Sequence, residues 1–473
     1  MSTHPPDQDQ NSSQYRNSSP DQTSSPDQLS SGDIDHGQRL VRRFALLNGI
    51  SVALLMDSML ILYAIRNGVS DSAVAVLVSF IHLTMPLVIV GKGLIARIGA
   101  ARTWGMGWFL RNVSAAVMIV APFLPPEVPQ FVRTGVILLG GFGFAAFRSI
   151  GLVGNSPLIG EITRSGDRGR FLSGNWVRAT TTQMLTLVAV IFLLQYAPET
   201  WMFQVVIGFA AALGMYVGIV LSRVPESDVP RISAQKPLRE VFSRVWGVTR
   251  MRKLLFAWAA SFAAFTLVIP FAVITLKNGY GLSDYQALSF TLFTLSGGIV
   301  ASLVNGIVAD RVGPRPLLIL YVSSLAVIAG YWAVAPATLS VIPTALAFFI
   351  AGYSKFGILA VSNHYFLDIA DGADRVGSSM ILRATSGAVA GLIGSVLGGG
   401  ILESLHRLGF GGIDIYRNYF RIAILVFVIL IPVVRALDRL EEWPVRRAAL
   451  LLLQPWRIVR MRRERTRAEA QNT

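Results

Sequence analysis

Twelve apolar segments follow one another between residues 44 and 436, with short polar breaks between them. Six lie near 44–65, 72–92, 103–124, 132–158, 172–196 and 201–222. Six more lie near 253–276, 285–308, 316–336, 339–365, 379–402 and 418–436. About 20 apolar residues in a helix cross the roughly 30 Å hydrocarbon core of a bilayer. Backbone N–H and C=O groups find no water there, and a helix satisfies them within the segment. The expected fold is therefore all-α and integral to a membrane. Composition agrees: 53% of the 473 residues are hydrophobic and 15% are charged, against about 25% charged in a soluble domain. Cysteine is absent, which removes disulfides, thiol catalysis and thiolate metal sites. The five histidines show no metal-ligand spacing. No metal, no cofactor and no enzymatic activity are expected.

The polar parts set the organisation and the orientation. Residues 1–43 open with a Ser, Asp, Gln and Pro-rich stretch in which Ser-Pro-Asp-Gln occurs at Ser19–Gln22 and Ser25–Gln28. Such a composition buries too little apolar surface to offset ordering, so a disordered tail is expected, and it lacks the apolar core of a signal peptide. Residues 44–222 form a first six-helix half, 223–252 a basic linker, 253–436 a second half and 437–473 a basic tail. With span ends counted to the nearer side, 31 of the 42 basic residues fall on the side of the termini and six on the other. The positive-inside rule then places both termini in the cytoplasm, in what reads as a bacterial inner membrane. The net charge of +15 thus reports topology, and nucleic acid is not an expected partner. In the last tail, Trp443, Leu450–Leu453 and Trp456 stand beside an Arg-rich run. Two readings remain: a helix lying on the anionic inner leaflet, or a solvated basic tail.

The two halves repeat each other. Glu161-Ile162 with Asp167-Arg168, and Asp368-Ile369 with Asp374-Arg375, match at an offset of 207, which also aligns Arg148 with Lys355. Arg178-Ala179-Thr180 matches Arg383-Ala384-Thr385 at 205, and Arg97-Ile98-Gly99 matches Arg311-Val312-Gly313 at 214. Parallel repeats related by an axis along the membrane normal place a cavity between them.

These motifs resemble those of the major facilitator superfamily. Gly306 to Arg315 reads G-I-V-A-D-R-V-G-P-R, similar to that family's G-x-L-A-D-R-x-G-x-R loop, while the copy from Lys92 to Arg102 has Ala96 in place of the Asp. Glu161-x6-Arg168 and Asp368-x6-Arg375 resemble the E-x6-R elements best known in sugar porters, and Val224-Pro225-Glu226-Ser227 resembles their segment after span 6. No comparable element follows span 12. The G-x3-G-P-x2-G-G element of drug:proton antiporters is missing from span 5. The resemblance covers about residues 40–438. It implies twelve helices in two pseudo-symmetric halves, alternating access, and loop networks that hold the inner side closed. Those networks would be Arg97, Glu161 and Arg168 in one half, and Asp310, Arg311, Asp368 and Arg375 in the other. Several weak ion pairs together suit a gate between two near-equal states.

Ionisable residues inside spans are costly and point to function. Asp57 in span 1 and His82 in span 2 are the proton-coupling candidates, since a mid-membrane carboxylate and imidazole can exchange a proton; the alternative for each is structural. Arg148 and Lys355 occupy equivalent places in spans 4 and 10. They either grip an anionic substrate in a shared cavity or reach down to the gate. Arg111 in span 3 has no basic counterpart in span 9 and reads as structural. Trp258, Phe262, Phe265 and Tyr353 are pocket-lining candidates. Gly387, Gly391, Gly394 and Gly398 form a stripe in span 11 that lets another helix approach. The expected function is secondary transport of a small organic solute, proton-coupled and leaning to an organic anion. Efflux of neutral or amphipathic compounds is the rival, and a transporter-like receptor is another. A monomer is the default.

Overall fold

The structure, a computed structural model, describes residues 29–55, 58–125, 127–163, 168–197, 199–369, 375–439, 442–452 and 454. Among these, twelve helices are long and apolar enough to cross a bilayer. In the first half they are Ser31–Arg66, Asp71–Ile98, Ala100–Phe123, Gln130–Glu161, Gly174–Tyr196 and Thr200–Leu221. In the second half they are Thr249–Gly279, Asp284–Asn305, Pro314–Ala333, Val341–Phe366, Gly377–Arg407 and Gly412–Arg435. They are spans 1 to 12 below. No strand occurs among the described residues. The protein is an all-α integral membrane protein.

The first helix starts at Ser31, inside the stretch expected as tail. The Ser30 hydroxyl accepts the Asp33 N–H at 3.1 Å, which fixes the start. Gly37, Val41, Ala45, Gly49 and Ala53 then recur every four residues and are buried. That stripe lets span 1 lie close to span 5: a Cβ on Gly49 would sit 2.1 Å from the Thr182 hydroxyl.

Each half packs by the same scheme. Spans 1 with 5, 1 with 6, 2 with 4, 3 with 4 and 3 with 6 touch, and so do spans 7 with 11, 7 with 12, 8 with 10, 9 with 10 and 9 with 12. Glycines supply the closest crossings. Gly105 and Gly218 face each other's backbone between spans 3 and 6, as do Gly107 and Gly151 between spans 3 and 4. Between spans 8 and 10 the backbone takes the place of side chains: a Cβ on Gly297 would lie 2.0 Å from Phe349 O, and one on Gly352 1.9 Å from Thr294 O. In a membrane, such close packing replaces the hydrophobic drive between helices.

The halves meet where span 2 lies on span 11 and span 5 on span 8. The glycine stripe of span 11 lies on this seam. Gly387 and Gly391 receive Met85 and Leu83 of span 2, Gly394 lies between Ser79 and Thr266, and Gly398 takes Phe271. One end of the bundle carries the start of span 1, the linker and the last helix, Val445–Leu452. We call it the terminus end and the opposite one the far end.

Candidate transport path and its closures

His82 lies half-buried near the middle of span 2. Its ring faces two aromatics of the opposite half, Phe265 with centroids 5.5 Å apart and Phe262 at 6.0 Å. Trp258 extends the group, 6.1 Å from Phe262. This imidazole therefore sits on the seam, and any change in how the halves meet changes its surroundings.

Arg148 is half-buried in span 4. It is near enough to Arg111 for the two charges to repel. Arg111 is 1% exposed. Its guanidinium lies 4.7 Å from the Trp108 ring centroid and 4.8 Å from that of Phe144. It donates to Asn48 Oδ1 at 3.4 Å, an oxygen that also accepts from Trp108 Nε1 at 3.0 Å. Two ring faces stabilise a buried cation that full desolvation would otherwise penalise. Lys355 has different surroundings. Its Nζ is 5.9 Å from the Phe356 centroid, and Phe356 meets Trp176 of the first half at 6.2 Å. Close by, Tyr353 touches Tyr321, whose hydroxyl donates to Asn305 Oδ1 at 2.6 Å. Arg148 thus belongs to a cationic group inside the first half, and Lys355 to an aromatic wall at the seam. Asp57 lies outside the described residues.

At the far end, polar contacts bridge the halves. Asp284, the first residue of span 8, has a side chain 4% exposed and is held by two cations. Arg66 of span 1 approaches it at 2.9 Å and Lys277 of its own half at 2.6 Å. Asp71, the first residue of span 2, is also buried. It accepts from Asn278 and from the Tyr416 hydroxyl, both in the second half. Ser72 donates to Glu403 at 3.4 Å, and Ser58 pairs with Thr291 at 2.7 Å. Beside them lies a cavity of about 340 Å³ lined by Asp71, Asn278, His406 and Tyr416 among others. Asp71 and Asp284 are counterparts. Gly68-Val69-Ser70-Asp71 and Gly281-Leu282-Ser283-Asp284 match at an offset of 213. Both glycines have positive φ, 74° and 68°, which turns the chain into a serine that starts the next helix.

At the terminus end, a different set of contacts ties each half to itself. Gly99 and Gly313, equivalent in the repeat, have φ of 92° and 86° and open spans 3 and 9. Glu226 caps span 3 by accepting the N–H groups of Ala100 at 2.6 Å and Ala101 at 3.0 Å. Glu161 accepts from the Ser227 hydroxyl and from its N–H at 3.1 Å. Arg97 is exposed, and among the described residues no ion pair joins it to Glu161. The side chains of Arg168, Asp310, Arg311, Asp368 and Arg375 lie outside the described residues.

A family model described as Major Facilitator Superfamily matches residues 44–395. The chain belongs to that superfamily. Solved structures agree on the fold. A variant of the nucleoside transporter NupG aligns with a TM-score of 0.65 at 10% identity, covering 85% of this chain and 100% of that one. The proton:xylose symporter XylE, bound to 6-bromo-6-deoxy-D-glucose, gives 0.59 at 16% identity over 87% and 97%. A POT family transporter in complex with a thioalcohol-conjugated peptide gives 0.60 at 10% identity over 86% and 96%. A search of curated protein sequences gives no significant match.

Within this superfamily fold, the structure also shows an element that the sequence concealed. The segment after span 12 does mirror the one after span 6. Glu442 binds Arg315 of the loop motif at 2.8 Å, and the Trp443 N–H donates to Val312 O at 2.9 Å. Arg315 also donates to Arg435 O, at 2.7 and 3.3 Å. Asp438 binds Lys253, and its carbonyl accepts from the Tyr365 hydroxyl at 3.1 Å. In both halves an acid beyond the last span reaches the start of the third span. In the first half it caps the backbone directly, and in the second it works through an arginine. No shared sequence pattern marks that equivalence. The far-end aspartates did leave a readable signal, the repeated Gly-x-Ser-Asp.

Proposed function

We propose that the chain is a proton-coupled secondary transporter of a small organic anion, working by alternating access with both termini in the cytoplasm. The observation that carries this reading is the pair Arg148 and Lys355, half-buried cations at equivalent positions of spans 4 and 10. Arg111 adds a second positive charge beside Arg148. A guanidinium in a low-dielectric site favours carboxylate or phosphate by charge and by paired hydrogen bonds. His82 and Asp57 serve the proton. His82 is suited to this because its aromatic neighbours belong to the other half. The far-end contacts close the outer mouth. Arg97, Glu161, Arg168, Asp310, Arg311, Asp368 and Arg375 serve the inner closure.

The reading is tested with purified protein. Thermal stabilisation by small carboxylates and organophosphates is compared with that by neutral and cationic compounds. The same panel is run on Arg148→Gln with Lys355→Gln. Saturable stabilisation by anions that the double variant loses supports the anion site. Flux of that anion into proteoliposomes, driven by a pH gradient and uncoupled in His82→Gln, supports the coupling. Stabilisation by neutral or amphipathic compounds that survives the double variant overturns the anion reading. The ring cluster of Trp258, Phe262 and Phe265 at the seam is the observation favouring that rival. Binding without flux would make the protein a receptor.

A further inference from the structure

The linker between the halves contains the helix Leu238–Gly247. Its three faces have different surroundings. One face packs on the second half: Val245 is 2% exposed, and Val241 Cγ1 lies 2.6 Å from where a Cβ on Gly377 would stand. Leu238 on the same face packs against a buried cluster formed by Met85 and Val88 of span 2 with Met380 and Ala384 of span 11. The opposite face carries Glu240 and Ser243, both exposed.

The third face is apolar and uncovered. Phe242 and Trp246, one helical turn apart, are 52% and 45% exposed. Their rings stack, 6.0 Å between centroids and 8° between planes. Trp246 then meets Phe256 at 6.4 Å. Phe256 lies two turns inside span 7 and is 53% exposed, on a span that is otherwise largely buried. The aromatic row therefore runs without a break from the linker onto the exposed surface of a membrane span. Exposed cations flank it: Lys236 and Arg239 on one side and Arg250 on the other.

We propose that this helix lies in the membrane interface at the terminus end, with Phe242 and Trp246 among the lipid glycerol and upper acyl groups and the flanking cations on acidic phospholipid headgroups. An aromatic face with adjacent Lys and Arg suits that boundary, where the ring is wetted on one side only and the leaflet carries negative charge. The occupant is the bilayer, because the row continues onto a span that crosses it and because cations that match acidic headgroups flank the rings. The consequence is mechanical. The buried face of the same helix rests on Gly377 and Met380 at the start of span 11, the helix whose glycines meet span 2 across the seam. Acidic lipid that holds the linker helix in the interface holds that end of the seam. This inference does not depend on which solute is carried.

The absence of cysteine makes the test direct, because a single introduced cysteine is the only thiol. Nitroxide labels are placed in Phe242→Cys, Trp246→Cys and Glu240→Cys proteins in liposomes. The labels at 242 and 246 should be relaxed by oxygen and protected from an aqueous nickel chelate, and the label at 240 the reverse. Equal exposure of all three to the nickel chelate overturns the proposal. The charge component is read separately, by titrating phosphatidylglycerol into phosphatidylcholine nanodiscs and following the burial of the 242 label. Lys236→Gln, Arg239→Gln and Arg250→Gln should each weaken the phosphatidylglycerol dependence about fivefold. A label position that ignores phosphatidylglycerol in the unsubstituted linker overturns the headgroup assignment. Because all these residues are exposed, the variants are expected to fold, and monodisperse elution checks that they do.

Discussion

Neutralising Asp284 separates the part of the far-end contact that depends on conformation from the part that does not. Its carboxylate is held by Arg66 from the other half at 2.9 Å and by Lys277 from its own half at 2.6 Å. When the far end opens, Arg66 must leave, whereas Lys277 travels with Asp284. Only the Arg66 arm therefore biases the two states. A hydrogen bond to a charged group contributes about 1.5–3 kcal/mol when desolvated, and an exposed ion pair about 0–1. The Arg66 side chain is 30% exposed and Asp284 4%, so the arm falls between these limits, at about 1–2 kcal/mol. Asp284→Asn should thus raise the ratio of open to closed far end by roughly five- to thirtyfold, since each 1.4 kcal/mol is a factor of ten. The direction is reinforced because Lys277, left without its carboxylate, then faces Arg66. Spin labels on cysteines introduced at Glu127 and Thr338, exposed far-end loop residues of the two halves, report the opening as a longer distance population. Arg66→Gln should have a similar effect. The double variant should show little more, giving a coupling energy of about 1–2 kcal/mol. An unchanged distance distribution in Asp284→Asn, or fully additive single effects, would refute the reasoning.

The remaining predictions concern the solute site, the linker, packing and the C-terminal arm. Removing Arg148 and Lys355 together should abolish anion-dependent thermal stabilisation, as set out above, and the linker labels should report depth. Gly352→Ala forces a methyl to within 1.9 Å of Thr294 O. It should cost about 1–3 kcal/mol as overpacking, read as a lower Tm, whereas Gly330→Ala, which meets nothing within 4 Å, should leave Tm in place. Glu442→Ala removes the carboxylate that holds Arg315 and should loosen the segment after span 12 by about 1–3 kcal/mol. Trypsin should then release the C-terminal segment several-fold faster, with the rest of the chain intact.

The twelve spans, the division into halves and the superfamily were legible because each rests on a local property. Apolar length sets a span, and the loop motif Gly306 to Arg315 is contiguous. Arg148 and Lys355 were singled out through their equivalence in the repeat. Other features escaped for physical reasons. Glu442 was hidden because its partner Arg315 lies more than a hundred residues away and because the first half does the same work with a direct helix cap. Helix formation at residues 31–43 was missed because span prediction follows hydropathy, whereas this extension rests on the Ser30 cap and a stripe of small residues. Arg111 reads as structural from the sequence, and its burial agrees, but its surroundings were not legible. Its place between two aromatic rings beside Arg148 depends on the rotation of two helices about their axes, which hydropathy does not encode.

By itself, then, the sequence determined that this chain lives in a bilayer as two six-helix repeats, because hydrocarbon thickness and backbone satisfaction leave few alternatives. Which side chains meet across the seam was decided by tertiary structure alone. Span 11 reaches span 2 because glycines leave room for it, and that approach places His82 against Phe262 and Phe265. Asp71 and Asp284 are equivalent in sequence but are held differently, one by an amide and a phenol and the other by two cations. The physical reason is that a repeat fixes each half's internal packing, while the contact between halves joins surfaces whose side chains differ.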